Sequence, residues 1–141
     1  MSVTVTGIDS TIQALYAKTN TLSNSVDEAV RRGAVMIMND STRSIAQGVH
    51  TGKTYKRGNK THKASAPGEA PATDTGTLVK SIQSLKSIYG DGWLVGSNLD
   101  YARFLEFGTK NMGARPWLIP ALEKNRSTIY KSIQTAMKAA L

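Results

Sequence analysis

"YARFLEFGTKNMGARPWLIPAL", residues 101–122, packs aromatics, a lone Glu106, Gly108 and Gly113, an Arg115–Pro116 step and the start of an apolar run into one stretch. It reads either as an active site or as a corner whose unusual residues each meet a geometric need. Glycines at 108 and 113 open backbone angles closed to other residues and bracket a tight connection. Pro116 and Pro120 are tolerated only before a helix or in its first turn, so they fix where a helix starts and which way it leaves. Trp117 and Phe107 are large anchors, and Arg115 can bind a carboxylate or carbonyls. A carboxylate between Leu105 and Phe107 is a candidate proton donor, but catalysis needs a second titratable partner and only Asp100 and Arg103 are near. The favoured reading of Glu106 is structural: an ion pair to Arg115, or a bond to the turn amides of "GTKNMG". Glu106, Gly108, Arg115, Pro116, Trp117 and Pro120 are therefore expected to form a stiff corner.

Downstream of the corner, Leu118, Leu122, Ile129, Ile133, Ala136, Met137 and Ala140 mark a long amphipathic helix. Upstream, Asp100 precedes a helical turn with Ala102, Phe104 and Leu105 inward. "WLVGSN" and a strand from about Ile82 to Tyr89 flank "GDG" at Gly90–Gly92, a hairpin signal that makes them antiparallel neighbours. A helical turn is expected near Thr77. At the other end of the chain, "SVTVTGI" alternates as a short strand through Val3 and Val5 to Gly7. Ser10 and Gln13 stand at capping-box spacing before Ile12, Leu15 and Tyr16, a short helix. The polar "NTLSNS" predicts a break. A second box at Ser25 and Glu28 then opens a long helix to about Gln47, with Val26, Val30, Ala34, Ile37, Ser41 and Ile45 on its apolar face and Gly48 as its stop. The class is α+β, a small antiparallel β-sheet packed by two long helices.

Residues 49–75 depart from this grammar. They hold almost no large apolar side chains and are rich in Gly, Thr, Lys and Pro, so they are expected to form a long extended basic arm on a core made of 1–48 and 76–141, in a single domain.

The net charge of +8 is localised. Residues 1–48 and 76–109 balance, which leaves the excess in the arm (Lys53, Lys56, Arg57, Lys60 and Lys63) and in the C-terminal part (Lys110, Arg115, Lys124, Arg126, Lys131 and Lys138). Clustered cations favour a polyanion or an acidic surface through counterion release. Tyr55 is the one aromatic in the arm, which points to backbone contact rather than base stacking.

The sequence has no cysteine, so it has no disulfides and no thiolate chemistry; this fits an intracellular site of assembly. No signal peptide and no membrane span are expected. His50 and His62 lack carboxylates at metal-ligand spacing, and "HTGKT" does not complete a phosphate loop. No catalytic, metal or cofactor residues are expected, and the chain reads as a non-enzyme.

Two separated motifs carry a family resemblance. "SAPGEAPATDTGTLVKSI" resembles a P-G-x-P-P-x-x-T-G-x-L-x-x-S-I element through Pro67, Gly68, Pro71, Thr75, Gly76, Leu78, Ser81 and Ile82, with Ala70 breaking the double proline. "YARFLEFGTKNMGARPWLIPALEKN" is similar to Y-A-x-x-x-E-x-G-T followed by R-P-F-L-x-P-A-L, with Trp117 where phenylalanine is commoner. The family is that of tailed-phage neck and tail-completion proteins, the head–tail joining or minor tail components. The resemblance implies a virion protein at the head–tail junction, an α+β body assembling with itself as a ring, commonly six-fold, around the DNA channel. It implies a head-completion or connector protein on one side and a tail-terminator or tail-tube protein on the other. Pro67, Gly68, Pro71, Thr75 and Gly76 are the expected assembly contacts. The lysine half of the arm is left facing solvent or genomic DNA through nonspecific backbone contact. The alternatives are a sequence-nonspecific DNA-binding protein and a tail terminator at the end of the tail tube. Truncating Gly52–Ala66 is expected to leave a folded body that assembles poorly.

Overall fold

The structure is a computed structural model that describes residues 7–140; the strand expected through Val3 and Val5 lies outside them. The first element, α1, is one continuous helix of 40 residues, Ile8–Gln47, not the two helices expected. The reason is chemical. Residues 20–25 are polar apart from Leu22 but contain neither glycine nor proline, so nothing in them forbids helical angles. The hydroxyls of Thr19 and Thr21 donate to the carbonyls of Leu15 and Ala17, both at 2.9 Å, and so join the helix ladder instead of competing with it. Glu28 does not cap a second helix; its carboxylate takes two bonds of 2.7 Å from Arg31.

Residues 49–75 are structured as well. Strands β1 (Thr54–Arg57) and β2 (Lys60–Lys63) pair antiparallel, joined by Gly58, in the left-handed region at φ 61°, and Asn59. Bonds between Gly52 N and Ala64 O and between Ala64 N and Lys53 O continue this ladder toward the body. A short helix, α2 (Thr77–Ser81), leads directly into β3 (Ile82–Lys86), which pairs antiparallel with β4 (Trp93–Ser97). The second strand pair ends earlier than expected, at Lys86, because Ile88 and Tyr89 swing into solvent in a longer loop closed by Ser87 N to Gly92 O at 2.9 Å. Helices α3 (Ala102–Phe107) and α4 (Ile119–Ala140) complete the chain. The class is α+β, with two separate two-stranded sheets where one was expected.

Alternation on β3 and β4 places Ile82 and Ser84 with Val95 and Ser97 on one face, and Leu85 with Leu94 on the other, exposed one. The inner face lies toward α1, where Asp27 accepts from Lys86 Nζ at 3.1 Å and from Trp93 Nε1 at 3.3 Å. The core at the C-terminal end of α1 joins Ile45, Leu78, Ile82, Ala102 and Trp117.

Helix α4 runs antiparallel to α1. Asp40 accepts from Asn125 Nδ2 at 2.8 Å and pairs with Lys124 at 3.0 Å; farther back on α1, Gly33 meets Ile129. A Cβ on Gly33 would lie 2.9 Å from two Ile129 carbons, so glycine there sets how closely the helices approach. Asn125 and Lys124 also hold the Asp40 carboxyl below its ordinary range. Phe104 is not inward as expected. On a helix of six residues only one narrow face meets the body, and Ala102 and Glu106 take it. Phe104 stands in solvent with the Arg103 guanidinium 4.8 Å from its ring centre, and Phe107 is exposed too.

Candidate functional site

A helix begins with backbone N–H groups that have no partner inside it. At α4 those of Trp117, Leu118 and Ile119 converge on the Glu106 carboxylate. Oε2 accepts from Trp117 at 2.8 Å and Leu118 at 3.0 Å, and Oε1 accepts from Ile119 at 2.9 Å. Pro120, next in the helix, has no N–H to satisfy. The buried carboxylate also lies at the positive end of the helix dipole, which stabilises its charge. Glu106 is therefore a capping group. It takes neither of the partners expected for it: Arg115 donates elsewhere, and the "GTKNMG" turn closes on itself through Thr109 and Met112.

Gly108 has φ 78°, and a Cβ there would lie 2.8 Å from both Ala114 N and Met112 O, so no other residue fits without moving backbone. Trp117 is buried between α3 and the rest of the core, its Nε1 donating to Ala102 O at 3.4 Å. The structure thus brings Glu106, Gly108, Arg115, Pro116, Trp117 and Pro120 to one bend between α3 and α4.

Arg115 ties this bend to the base of the β1–β2 hairpin. Its Nε donates to the carbonyl of buried Ser65 at 3.2 Å, and Gly68 N donates to Ala114 O at 2.8 Å. Pro67 presses on Gly113 so closely that a Cβ there would sit 2.8 Å from the proline Cβ. Pro71 is buried, Thr73 donates to Ile45 O at 2.9 Å, and Gly76, at φ 75°, opens α2 beside Thr75. Of the five residues expected to contact neighbours, Pro67, Gly68 and Thr75 are exposed, Gly76 is half-buried and Pro71 is buried.

Glu69 was a variable position in the motif, and sequence reading passed over it. Its carboxylate takes the Thr51 N–H at 2.9 Å, the Thr51 hydroxyl, and the Ala66 N–H at 2.8 Å, clipping both ends of the hairpin together. The Thr51 hydroxyl first, then the two amides, hold the Glu69 carboxyl down to about 2. A depressed carboxyl contributes its stability above its ordinary value of 4.5 and loses it as pH falls toward about 2. Amide resonances of Thr51 and Ala66 should therefore titrate with a midpoint near 2. A midpoint at the ordinary glutamate value would mean that the clip does not form in solution.

The hairpin so held carries Lys53, Lys56, Lys60 and Lys63, all exposed, with Arg57 on β1. The pairing of Lys56 with Thr61 and of Thr54 with Lys63 puts Lys56 and Lys63 on one face; Tyr55 and His62 share the other, ring centres 5.1 Å apart. A cleft of about 330 Å³ lies between that aromatic face, the 71–77 segment and Tyr101. Lys131 and Lys138 add exposed charge on α4. Among the described residues no group of three or more His, Asp or Glu side chains is placed to hold a metal, and no helix is long and apolar enough to cross a membrane.

Neither the curated proteins nor the solved structures gave a match. A family model described as "Bacteriophage HK97-gp10, putative tail-component" matches residues 11–108, from the first turns of α1 through the hairpin, its clip and both β3–β4 strands to Gly108. With most of the chain spanned in one match, the protein belongs to the HK97-gp10-like family of phage tail components.

Proposed function

We propose that this chain is a structural, non-enzymatic virion protein of the head–tail junction. Copies assemble with one another as a ring, six-fold by the resemblance above, around the channel through which the genome passes. The ring joins a connector or head-completion protein to a tail-terminator or tail-tube protein. One observation carries this reading: a cationic hairpin whose ends are clipped by Glu69 and which is tied to the α3–α4 bend by Arg115 and the Gly68–Ala114 bond. Exposed lysines on a hairpin so held suit contact with phosphate backbone, without sequence reading, or with an acidic neighbour. The exposed edges of two short sheets suit the head-to-tail contacts by which rings close.

Replacing Thr54–Lys63 by a short Gly-Ser link tests it. The clip, the Ser65 contact and the core remain, so helix content and melting temperature should stay near those of the parent. Phage complemented with this variant should yield heads and tails that fail to join. Normal yields of infectious particles would remove the hairpin from the assembly.

A second reading, a sequence-nonspecific DNA-binding protein, is favoured by the shared face of Lys56 and Lys63. It requires duplex binding by the isolated chain, with a salt slope that falls by about 1 for each phosphate-contacting lysine removed. A tail terminator at the tube end is a third placement of the same ring.

A further inference from the structure

Helix α1 is far longer than α4, the helix packed against it. At 1.5 Å per residue its 40 residues span ~60 Å, whereas the 22 residues of α4 span ~33 Å. From the Asp40–Asn125 and Gly33–Ile129 contacts, antiparallel steps carry Ala140 roughly to the level of α1 residues 22–25. Residues 8–21 of α1 project beyond it, every one exposed.

This overhang is not built like a solvated helix. Its charged side chains are Asp9 and Lys18, while Ile8, Ile12, Leu15 and Tyr16 are 44–69% exposed. Depletion of charge around apolar and aromatic side chains marks the core of a protein interface. The overhang is also rich in Thr, Ser and Asn, poor helix formers, so tertiary packing must supply what propensity does not.

The spacing says what kind of partner it takes. Ile8, Ile12, Leu15, Thr19, Leu22, Val26, Ala29 and Gly33 follow one another by alternating steps of four and three, the seam of helix-on-helix packing. The second half of that seam already packs a helix in this chain, since Ala29 and Gly33 are buried and Gly33 touches Ile129 of α4. The first half continues the same line and is exposed along residues 8–21.

We infer that the overhang, residues 8–21, docks, helix to helix, on a second copy of this chain and forms a self-association contact. A second copy fits because each brings the same apolar seam and so little charge that two copies have almost nothing to repel. The inference rests on the self-assembly part of the proposed function and not on where in the virion the assembly sits.

Sedimentation of the purified full chain over a range of concentrations tests it, with Leu15→Asp on the seam and Ala17→Asp on the opposite face. The wild type and Ala17→Asp should self-associate. Leu15→Asp should keep its helical body and raise the dissociation constant roughly tenfold or more, the loss expected for one buried leucine. A wild type that stays monomeric, or a Leu15→Asp chain that associates like the wild type, overturns the inference; Ile12→Asp should repeat whichever result Leu15→Asp gives. Rings that retain Leu15→Asp would sink this contact and leave the ring reading standing. Self-association through the seam by a chain absent from phage necks would sink the ring reading and leave this contact standing.

Discussion

Replacing Glu106 by alanine is expected to remove about 3–5 kcal/mol of folding stability, a large share of what a domain of this size has. The carboxylate serves three amides at the start of α4 and is itself buried. Its removal leaves those amides without a protein acceptor, and an unsatisfied buried donor costs on the order of 1–3 kcal/mol. Water entering the space left by the side chain recovers part of that, which keeps the total below the simple sum. Glu106→Gln keeps one acceptor oxygen but turns an NH2 group toward an N–H, so it should fall between the parent and alanine. Urea denaturation of the three proteins checks this order. Were Glu106 a catalytic acid on a tolerant scaffold, both variants would melt like the parent.

Trp117→Ala should cost a similar amount, about 3–5 kcal/mol, for a different reason: a cavity in the middle of the core. Trp117 is 4% exposed and packs with Ile45, Leu78, Ile82 and Ala102, which belong to four different parts of the chain and cannot all collapse inward. Trp117→Phe keeps an aromatic anchor and gives up only the 3.4 Å bond to Ala102 O and part of the ring volume. It should lose no more than about 1.5 kcal/mol. Thermal melts of both variants separate the two contributions, and equal losses would mean that the hydrogen bond, not the packing, holds this corner.

What could be read from the sequence followed from local geometry. The 3.6-residue stripe on the second half of α1 and along α4, the Pro116–Pro120 helix start and the α2 turn at Thr77 each depend on neighbours in sequence. The continuity of α1 through residues 20–25 is not legible from polarity, since only glycine, proline or a competing side-chain bond would make a break there. The β1–β2 hairpin was legible and missed. Gly58-Asn59 between Thr-Tyr and Thr-His runs is a two-residue turn signal, hidden by the lysines around it.

The site was less legible. A structural role for Glu106 is legible in its apolar neighbours, but its partners lie 11 to 13 residues away across a bend whose path no periodicity gives. Asp27 with Trp93, Asp40 with Asn125 and Glu69 with Thr51 join residues 66, 85 and 18 positions apart. Single polar pairs at such separations leave no pattern in one sequence. The helical overhang has its apolar residues in plain view, but only the length of α4 shows that, among the described residues, that helix does not reach them.

The most direct test of the proposed function is electron cryomicroscopy of intact phage particles, asking where density for this chain lies. The account predicts a closed ring of copies between the connector and the tail, with the β1–β2 hairpins turned toward the channel or an adjoining ring and the α1 overhangs packed between copies. Particles that lack the chain, in phage whose isolated protein binds duplex DNA with a steep salt dependence, would contradict it.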